Sequence, residues 1–392
     1  MRTQLPFPCQ TLPHRSRLLS PRTRIMASSS SVSHRRPVIT LFTSIRNIGP
    51  ALRRAQLPLD EIVDEQALGG YGATIEFNAS RLQASSIQKL QAAEILITEP
   101  AVLAELILLN NSNNNSIEHG TSSSSSLLPN LKWCQSTYAG VDPLFQAKQD
   151  LTLFPLPFTL TRFAGVFGPP IAEWCLAQII SHERRFDLMR RDQSKKEWVG
   201  SQEVLEYRYL SDLTLSILGA GDIGLCIARV AKAFGMKVVG YSTRPKADEP
   251  ALDESVTDLT TALQAGDYIV SVLPSTTGTR NLLSLEAFQV ANQSNGGKSP
   301  VFVNAGRGDV TDASTIVAAL DQNHISAAIL DVFEQEPLPP SNPLWTHPKV
   351  TVSPHVSGLT RGQDVPNLVV DQYQRYVSGQ PLQYVVEWNK CY

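Results

Sequence analysis

Three residues with complementary chemistry occur in the second half of the chain: Arg307, Glu336 and His355. A histidine can donate a proton near neutral pH, and a neighbouring carboxylate orients the imidazole and stabilises its charged form. An arginine can hold a substrate carboxylate in a bidentate grip and polarise a keto oxygen. The set therefore suits proton transfer to the oxygen of a small keto acid.

The positions of these residues relative to predicted strands bring them together. Each polar residue follows a short apolar run: Arg307 follows Val301–Val303, Asp331 follows Ala327–Leu330, and His355 follows Val350–Ser353. Ligands of an open parallel sheet bind in the crevice beyond the carboxyl ends of its strands. We therefore expect these residues and Glu336 to converge there. Taken singly, each could instead be a structural or solvated residue.

A glycine-rich segment, GAGDIG, connects a predicted strand (Leu213–Leu218) to a predicted helix, and a second strand (Lys237–Tyr241) follows. This arrangement binds the pyrophosphate of a dinucleotide at the helix N-terminus. The glycines permit a tight turn, close approach of the phosphates, and close packing of helix on strand. The predicted cofactor-binding residues of this unit are Gly219, Gly221, Asp222, Ile223 and Gly224.

The end of the second strand indicates which dinucleotide is bound. The segment after Tyr241 reads Ser242-Thr243-Arg244 and has no carboxylate that would bind the ribose hydroxyls of NAD. Arg244 can pair with a 2′-phosphate, while Ser242 and Thr243 can donate hydrogen bonds to it. The sequence therefore favours NADP(H) and leaves NAD(H) possible; a merely solvated loop is the alternative. The ends of two further strands add Leu273, Pro274 and Ala305 to the predicted cofactor site.

Length and composition set the broad class. The 392 residues suit two domains, and 42% hydrophobic with 18% charged residues is typical of a globular enzyme. A net charge of -2 predicts no general attraction to nucleic acid or to an anionic membrane. No apolar run reaches the ~20 residues of a membrane span. The five cysteines show no metal-ligand spacing and indicate a reducing compartment.

Two segments differ from the rest of the chain. Residues 1–36 are rich in arginine and serine and, like the chain as far as residue 59, contain no Asp or Glu. They predict a disordered basic leader, in the manner of a mitochondrial transit peptide. A plain extension, or translation from Met26 with a cytoplasmic product, is the alternative. Residues 110–126 are a low-complexity Asn/Ser tract, which predicts a solvated loop insertion.

Strand and helix patterns alternate from about residue 37 onward, which predicts an α/β fold with parallel sheets. The first half contains strand candidates at Val38–Phe42, Ala73–Phe77, Ile95–Thr98, Leu131–Gln135 and Leu151–Phe154. A Pro/Gly-rich stretch, residues 155–170, predicts a crossing between domains. A long helix from about Ile171 to Arg191 should follow. Its apolar face could cover a domain junction or a dimer interface, and packing in the core alone is the alternative.

The chain resembles the D-isomer-specific 2-hydroxyacid dehydrogenases, and within them the glyoxylate/hydroxypyruvate reductase branch. The resemblance covers most of the chain from about residue 130 and contains the Arg, Glu and His segments in family order. The matching segments are STYAGVDPL (136–144), TRFAGVFGPPIAEW (161–174), GAGDIG (219–224), VLPSTTGTRNLL (272–283), VNAGRGDV (303–310), ILDVFEQEPLP (329–339), NPLWTHPKVTVSPHVSG (342–358) and GQPLQYVVE (379–387).

The resemblance implies a role for each candidate. His355 would be the acid/base, Glu336 its partner, and Arg307 the ligand of the substrate carboxylate. The backbone around Ala139 and Gly140 would bind the same carboxylate, and Asp331 would lie near the nicotinamide amide. Formate dehydrogenases share this fold but carry Gln where this chain has Glu336, which argues against formate as the substrate.

The resemblance also implies an architecture of two Rossmann-like domains. Residues 161–360 would form a doubly wound, parallel-sheet NAD(P)-binding domain. Residues 37–160, completed by 361–392, would form a discontinuous flavodoxin-like substrate domain. The family is usually dimeric, with the 171–191 helix in the interface, so a homodimer is expected.

Two other functions remain open at this point. One is a reductase of another 2-keto acid in the same family, since pocket residues decide the substrate. The other is a non-catalytic, NAD(P)-sensing protein, which need not retain the Arg, Glu and His set that this chain has.

Overall fold

The computed structural model describes residues 36–61, 68–69, 76–78, 81–115, 126–147, 156–198, 201–293 and 299–388. Residues 37–392 form one compact unit. The predicted leader, apart from its last residue, lies outside the described residues and stays a prediction. None of the helices described is long and apolar enough to span a membrane.

A five-stranded parallel sheet occupies the first part of this unit, with strand order β2-β1-β5-β6-β7. Its strands are β1 (Ile39–Phe42), β2 (Leu59–Glu61), β5 (Ile95–Thr98), β6 (Trp133–Ser136) and β7 (Thr159–Thr161), and a small antiparallel pair is formed by β3 (Leu68–Gly69) and β4 (Glu76–Phe77). The helices of this part are α1 (Ile48–Arg54), α2 (Ala84–Ala92), α3 (Pro100–Asn115) and α4 (Asp142–Ala147).

A seven-stranded parallel sheet follows, with strand order β10-β9-β8-β11-β12-β13-β14. Its strands are β8 (Thr214–Leu218), β9 (Lys237–Tyr241), β10 (Glu254–Val256), β11 (Tyr268–Ser271), β12 (Val301–Asn304), β13 (Ala327–Leu330) and β14 (Val350–Val352). The helices are α5 (Gly168–Glu183), α6 (Phe186–Lys195), α7 (Gln202–Leu205), α8 (Asp222–Ala233), α9 (Leu259–Ala265), α10 (Leu285–Asn292), α11 (Ala313–Asp321) and α12 (Val365–Val377), with 3₁₀ turns at Leu210–Asp212, Gly308–Val310 and Pro343–Trp345.

Apolar side chains cover both faces of each sheet, which confirms the predicted doubly wound α/β class. One core cluster joins the two sheets: it contains Leu41 of β1, Ile217 of β8 and Cys175 of α5, all buried. Separate clusters cover the outer faces of the two sheets, around Leu96 and Phe302. Helix α5 therefore lies in the core that the two sheets share.

The C-terminal segment returns to the five-stranded sheet. Tyr376 of α12 stacks on Trp133 of β6 with ring centroids 5.5 Å apart. Further along, the N–H of Val386 donates to the Leu160 carbonyl at 2.9 Å. These contacts agree with the expected discontinuous domain, although the domain boundaries themselves stay a prediction.

The single helix expected over residues 171–191 is wrong. Two helices, α5 and α6, cover this region, and Arg184 and Arg185 separate them. Arg185 has φ 51°, a left-handed conformation that ends the helical hydrogen bonding. The apolar spacing that suggested one helix belongs to α5, and a spacing pattern carries no sign of such a turn.

Two further predictions need correction. The tract at 110–126 is not a loop throughout, because α3 continues to Asn115; extending an existing helix costs little, so polar residues can follow its apolar part. The described end of the Ala73–Phe77 candidate, Glu76–Phe77, pairs antiparallel in the small sheet. The candidate at residues 151–154 lies outside the described residues, and the last strand of the five-stranded sheet, β7, instead lies within the presumed crossing at 155–170.

Candidate active site

The sheet order places the predicted catalytic residues at one edge. Strands β12, β13 and β14 are neighbours and run parallel, so their carboxyl ends meet. Arg307 follows β12, Asp331 follows β13 and His355 follows β14. Direct contact links two of the following loops: a Cβ added to Gly308 would overlap the backbone of Phe333, so only glycine fits beside Arg307.

His355 and Glu336 form a hydrogen-bonded pair. Nδ1 of His355 lies 2.7 Å from Oε2 of Glu336, and the other carboxylate oxygen accepts the Phe333 N–H at 2.9 Å. The carboxylate is thus fixed by the backbone while it holds the imidazole. The described part of the chain gives Nε2 of His355 no protein partner, and the side chain is 40% exposed. Nε2 is therefore the nitrogen that a substrate can reach.

Asp331 shapes the loop that carries His355. Its carboxylate is fully buried and accepts hydrogen bonds from the Ser353 hydroxyl at 2.5 Å and from the N–H groups of Val356 and Ser357 at 3.0 and 2.9 Å. Its carbonyl accepts the His355 N–H at 2.8 Å. His355 itself has φ 53°, a conformation that costs energy for a residue with a side chain and persists only where surrounding contacts impose it. These bonds give Asp331 a structural role in the loop. The expected position of Asp331 near the nicotinamide stays a prediction.

Arg307 extends from the β12 turn towards the other sheet. The turn is closed by Asn304, whose side chain donates to the Arg307 carbonyl at 3.0 Å and accepts the Gly306 N–H at 3.2 Å. The guanidinium contacts Gly140, where an added Cβ would overlap Nη2. The structure therefore brings together Arg307 and Gly140, two residues that were predicted to bind the same carboxylate, and Ala139 is the neighbour of Gly140 in sequence.

The glycine turn after β8 has the form that a pyrophosphate requires. Gly219 has φ 107°, and its N–H and that of Ala220 both donate to the Tyr241 carbonyl, at 3.0 and 2.8 Å. A Cβ at Gly224 would overlap the Gly219 carbonyl, whereas one at Gly221 would have no described atom within 4 Å. Helix α8 begins at Asp222 and continues through Ile223, so its first N–H groups are free to bind an anion. These residues fit a dinucleotide.

The segment predicted to read the 2′-phosphate follows β9. The Ser242 hydroxyl donates to the Arg244 carbonyl at 2.6 Å, which closes this turn. Thr243 and Arg244 are exposed, and no described residue pairs with the Arg244 guanidinium. Five strand positions separate β9 from β14, or roughly 24 Å at ~4.8 Å per strand. The Arg244 segment and His355 therefore lie far apart along one edge, as the two ends of an extended dinucleotide site must.

The remaining predicted cofactor residues lie at the ends of strands between the Arg244 segment and His355. Leu273 is buried and Pro274 exposed just after β11, and the Ala305 N–H donates to the Ser271 carbonyl at 3.0 Å. A Cβ at Gly306 would collide with the Leu273 backbone, so these two turns touch. These residues lie between the glycine turn and Arg307 along the sheet edge.

The buried thiol of Cys175 is inert. Burial raises the pKa of the Cys175 thiol well above its usual range, and the negative charge of Asp331 acts in the same direction. The thiol is therefore neutral and no nucleophile. The described ranges also contain no group of three or more histidine, cysteine or acidic side chains that could hold a metal ion.

Asp142 is the site residue that sequence reasoning missed. It begins α4, directly after the turn that contains Ala139 and Gly140, and its Oδ2 accepts the Nε–H of Arg307 at 3.2 Å. The AGVD motif could have indicated this residue. An acidic side chain in a turn that should bind a carboxylate would repel that ligand unless a cation lies nearby. Nothing local, however, indicates which of the distant arginines supplies it.

Comparison with known proteins shows which family the chain is similar to. Residues 176–357 match the model of the NAD-binding domain of D-isomer specific 2-hydroxyacid dehydrogenases. Over 237 residues the chain is 30% identical to glyoxylate/hydroxypyruvate reductase A of Photorhabdus laumondii subsp. laumondii, and the match covers 59% of this chain and 71% of that protein.

Solved structures show the same likeness over more of the chain. A D-isomer specific 2-hydroxyacid dehydrogenase family protein from Aeromonas salmonicida subsp. salmonicida is 30% identical with a TM-score of 0.72, and 90% of this chain and 99% of that chain are covered. The NADPH-dependent glyoxylate/hydroxypyruvate reductase of Sinorhizobium meliloti, in complex with NADP and sulfate, is 26% identical with a TM-score of 0.66, over 91% and 100%.

Proposed function

This chain belongs to the D-isomer-specific 2-hydroxyacid dehydrogenase family, and from that premise we propose that it reduces a small 2-keto acid of the glyoxylate or hydroxypyruvate type to the D-2-hydroxy acid with NADPH. The observation that carries the proposal is the His355–Glu336 pair, at 2.7 Å, on the sheet edge that also presents Arg307. A protein that only senses a dinucleotide has no need of a proton donor held in this way.

The side chains divide the chemistry between them. Arg307 and the backbone of the turn at Ala139 and Gly140 bind the substrate carboxylate and so orient the keto group. Nε2 of His355 donates the proton that the carbonyl oxygen takes up during reduction. Glu336 holds the opposite nitrogen and stabilises the charged imidazole before that transfer. The glycine turn after β8 would hold the dinucleotide, which would supply the hydride for this reduction.

The first test is an activity measurement on the purified chain. NADPH and NADH are compared in parallel with glyoxylate, hydroxypyruvate and pyruvate, and oxidation is followed by the loss of dihydronicotinamide absorbance. Fast oxidation of NADPH with glyoxylate or hydroxypyruvate is expected. No oxidation with any of the three, by protein that still binds NADPH, would contradict the proposed substrate class.

The proposed preference for NADPH predicts the behaviour of an Arg244 variant. The exposed guanidinium has no described protein partner and would make a charge-assisted hydrogen bond to the 2′-phosphate. Such a bond is worth about 1.5–3 kcal/mol, so Arg244→Ala should weaken NADPH binding by roughly 10- to 100-fold. Fluorescence titration with NADH is the matched control, because NADH lacks the phosphate and should change less than about twofold. Equal losses for both cofactors would remove the basis of the preference.

We also propose that the protein forms a homodimer through α5 and α6. Phe186 and Trp198 are exposed near this surface, Trp198 completely, and Ala177 lines a shallow depression there with Ile180 and Arg190. Exposed apolar surface of this kind is typical of a protein interface.

Light scattering tests the dimer directly. The wild type is expected at twice the chain mass, and Ala177→Glu should give a monomer because a two-fold interface meets the new charge twice. Ala233→Glu, an exposed alanine at the end of α8, serves as the matched control and should leave the mass unchanged. A wild type that runs as a monomer would refute the interface.

A further inference from the structure

The Arg307 guanidinium is held by acceptors of this chain before any ligand arrives. Nε donates to Oδ2 of Asp142 at 3.2 Å, and Nη1 donates to the Gly306 carbonyl at 2.9 Å. Asp142 belongs to α4 beside the five-stranded sheet, whereas Gly306 lies in the turn after β12 of the seven-stranded sheet. Two bonds from two parts of the fold therefore fix one planar group.

The N–H groups of Arg307 that have no acceptor among the described residues identify the edge of the guanidinium that a ligand can bind. With Nε and one Nη1 hydrogen engaged, the second Nη1 hydrogen and both Nη2 hydrogens remain. Nη2 lies directly against Gly140, in the turn whose backbone would bind the substrate carboxylate. The Nη1–Nη2 edge can therefore share one carboxylate with the backbone of that turn, provided that the guanidinium keeps its present orientation.

We propose that Asp142 is the positioning residue for Arg307: it fixes the guanidinium so that its free edge faces the carboxylate site. The inference rests on the proposed function, since it assigns Arg307 to a substrate carboxylate. The Arg307 and Asp142 side chains are 29% and 35% exposed, so solvent screens the ion pair and its contribution to folding stability is small. Its effect lies in orientation: a preorganised fork loses less conformational freedom when it binds.

The test uses oxalate, an unreactive two-carbon dicarboxylate, and calorimetric titration of the NADPH-saturated protein. Asp142→Ala is expected to weaken oxalate binding about tenfold, and Asp142→Asn, which keeps one acceptor oxygen and nearly the same shape, about threefold. The same Asp142→Ala change is also made in an Arg307→Lys background. A lysine ammonium is a point charge with no fork to orient, so in this background the loss should be under about twofold.

Each outcome has one meaning. Equal losses of oxalate affinity in both backgrounds would show that Asp142 acts independently of Arg307. Tighter oxalate binding by either Asp142 variant would show that the Asp142 carboxylate competes with the ligand. Either result overturns the inference. A wild type that reduces no keto acid, but whose oxalate binding follows the expected pattern, rejects the proposed function and leaves the inference standing. A wild type that does not bind oxalate overturns the inference, whereas the proposed function is decided by the keto-acid assay. Unchanged NADPH binding shows that each variant is folded.

Discussion

Replacement of His355 by asparagine is expected to lower kcat for the preferred keto acid by about 10³, within the 10²–10⁴ that general acid catalysis contributes. The change removes Nε2, which is the donor, together with the nitrogen that Glu336 holds. Asparagine is chosen because it tolerates a left-handed backbone, and His355 has φ 53°. The loop bonds to Asp331 come from backbone N–H groups and from the Ser353 hydroxyl, so they should survive. KM for the keto acid should therefore change little.

A graded variant and a control make this result specific. Glu336→Gln keeps an acceptor for the imidazole but loses the charge, and a hydrogen bond to a charged group is worth about 1.5–3 kcal/mol, so kcat should fall roughly 10- to 100-fold. His324→Gln, at the turn before β13 and away from the carboxyl ends of the strands, should leave kcat unchanged. Single-turnover rates are the measurement, since they exclude slow product release. A His355→Asn enzyme within about threefold of wild type would mean that another group donates the proton.

The parts of this molecule that local rules determine could be predicted from the sequence. Strands β9 and β13 begin and end at the predicted residues, and the glycine turn connects a strand to a helix as predicted, between β8 and α8. Each of these features depends on residues within a few positions of one another. The convergence of Arg307 and His355 on one edge also followed, because parallel strands with short connections leave few possible arrangements.

The features that were missed depend on contacts between distant residues or on single backbone angles. The Asp142–Arg307 pair joins residues 165 positions apart, and no local pattern specifies such a pair. The break between α5 and α6 depends on the conformation of Arg185 alone. The structural role of Asp331 depends on the loop as far as Ser357, which folds back so that the Ser357 N–H donates to the Asp331 carboxylate. Such contacts arise from tertiary packing, which overrides the local secondary-structure propensity that a sequence shows.

Arg307→Ala is expected to damage binding and turnover together. The variant loses two charge-assisted hydrogen bonds to the substrate carboxylate, at about 1.5–3 kcal/mol each, so kcat/KM should fall by roughly 10²–10⁴. Part of the loss should appear in kcat, because a keto acid held by the backbone at Gly140 alone is poorly oriented for hydride and proton transfer. Steady-state kinetics with saturating NADPH separates the two effects.

Arg307→Lys decides whether the loss comes from charge or from geometry. Lysine keeps the positive charge beside Asp142 but cannot make the Nη1–Nη2 fork, so a bidentate role predicts a loss close to that of alanine. A merely electrostatic role predicts that lysine restores most of kcat/KM. NADPH affinity should stay within about twofold of wild type in both variants, because the cofactor's phosphates bind at the glycine turn, which follows β8, two strands away from β12. If NADPH affinity fell as steeply as kcat/KM, Arg307 would belong to the cofactor site, and the carboxylate site would have to be sought elsewhere on this sheet edge.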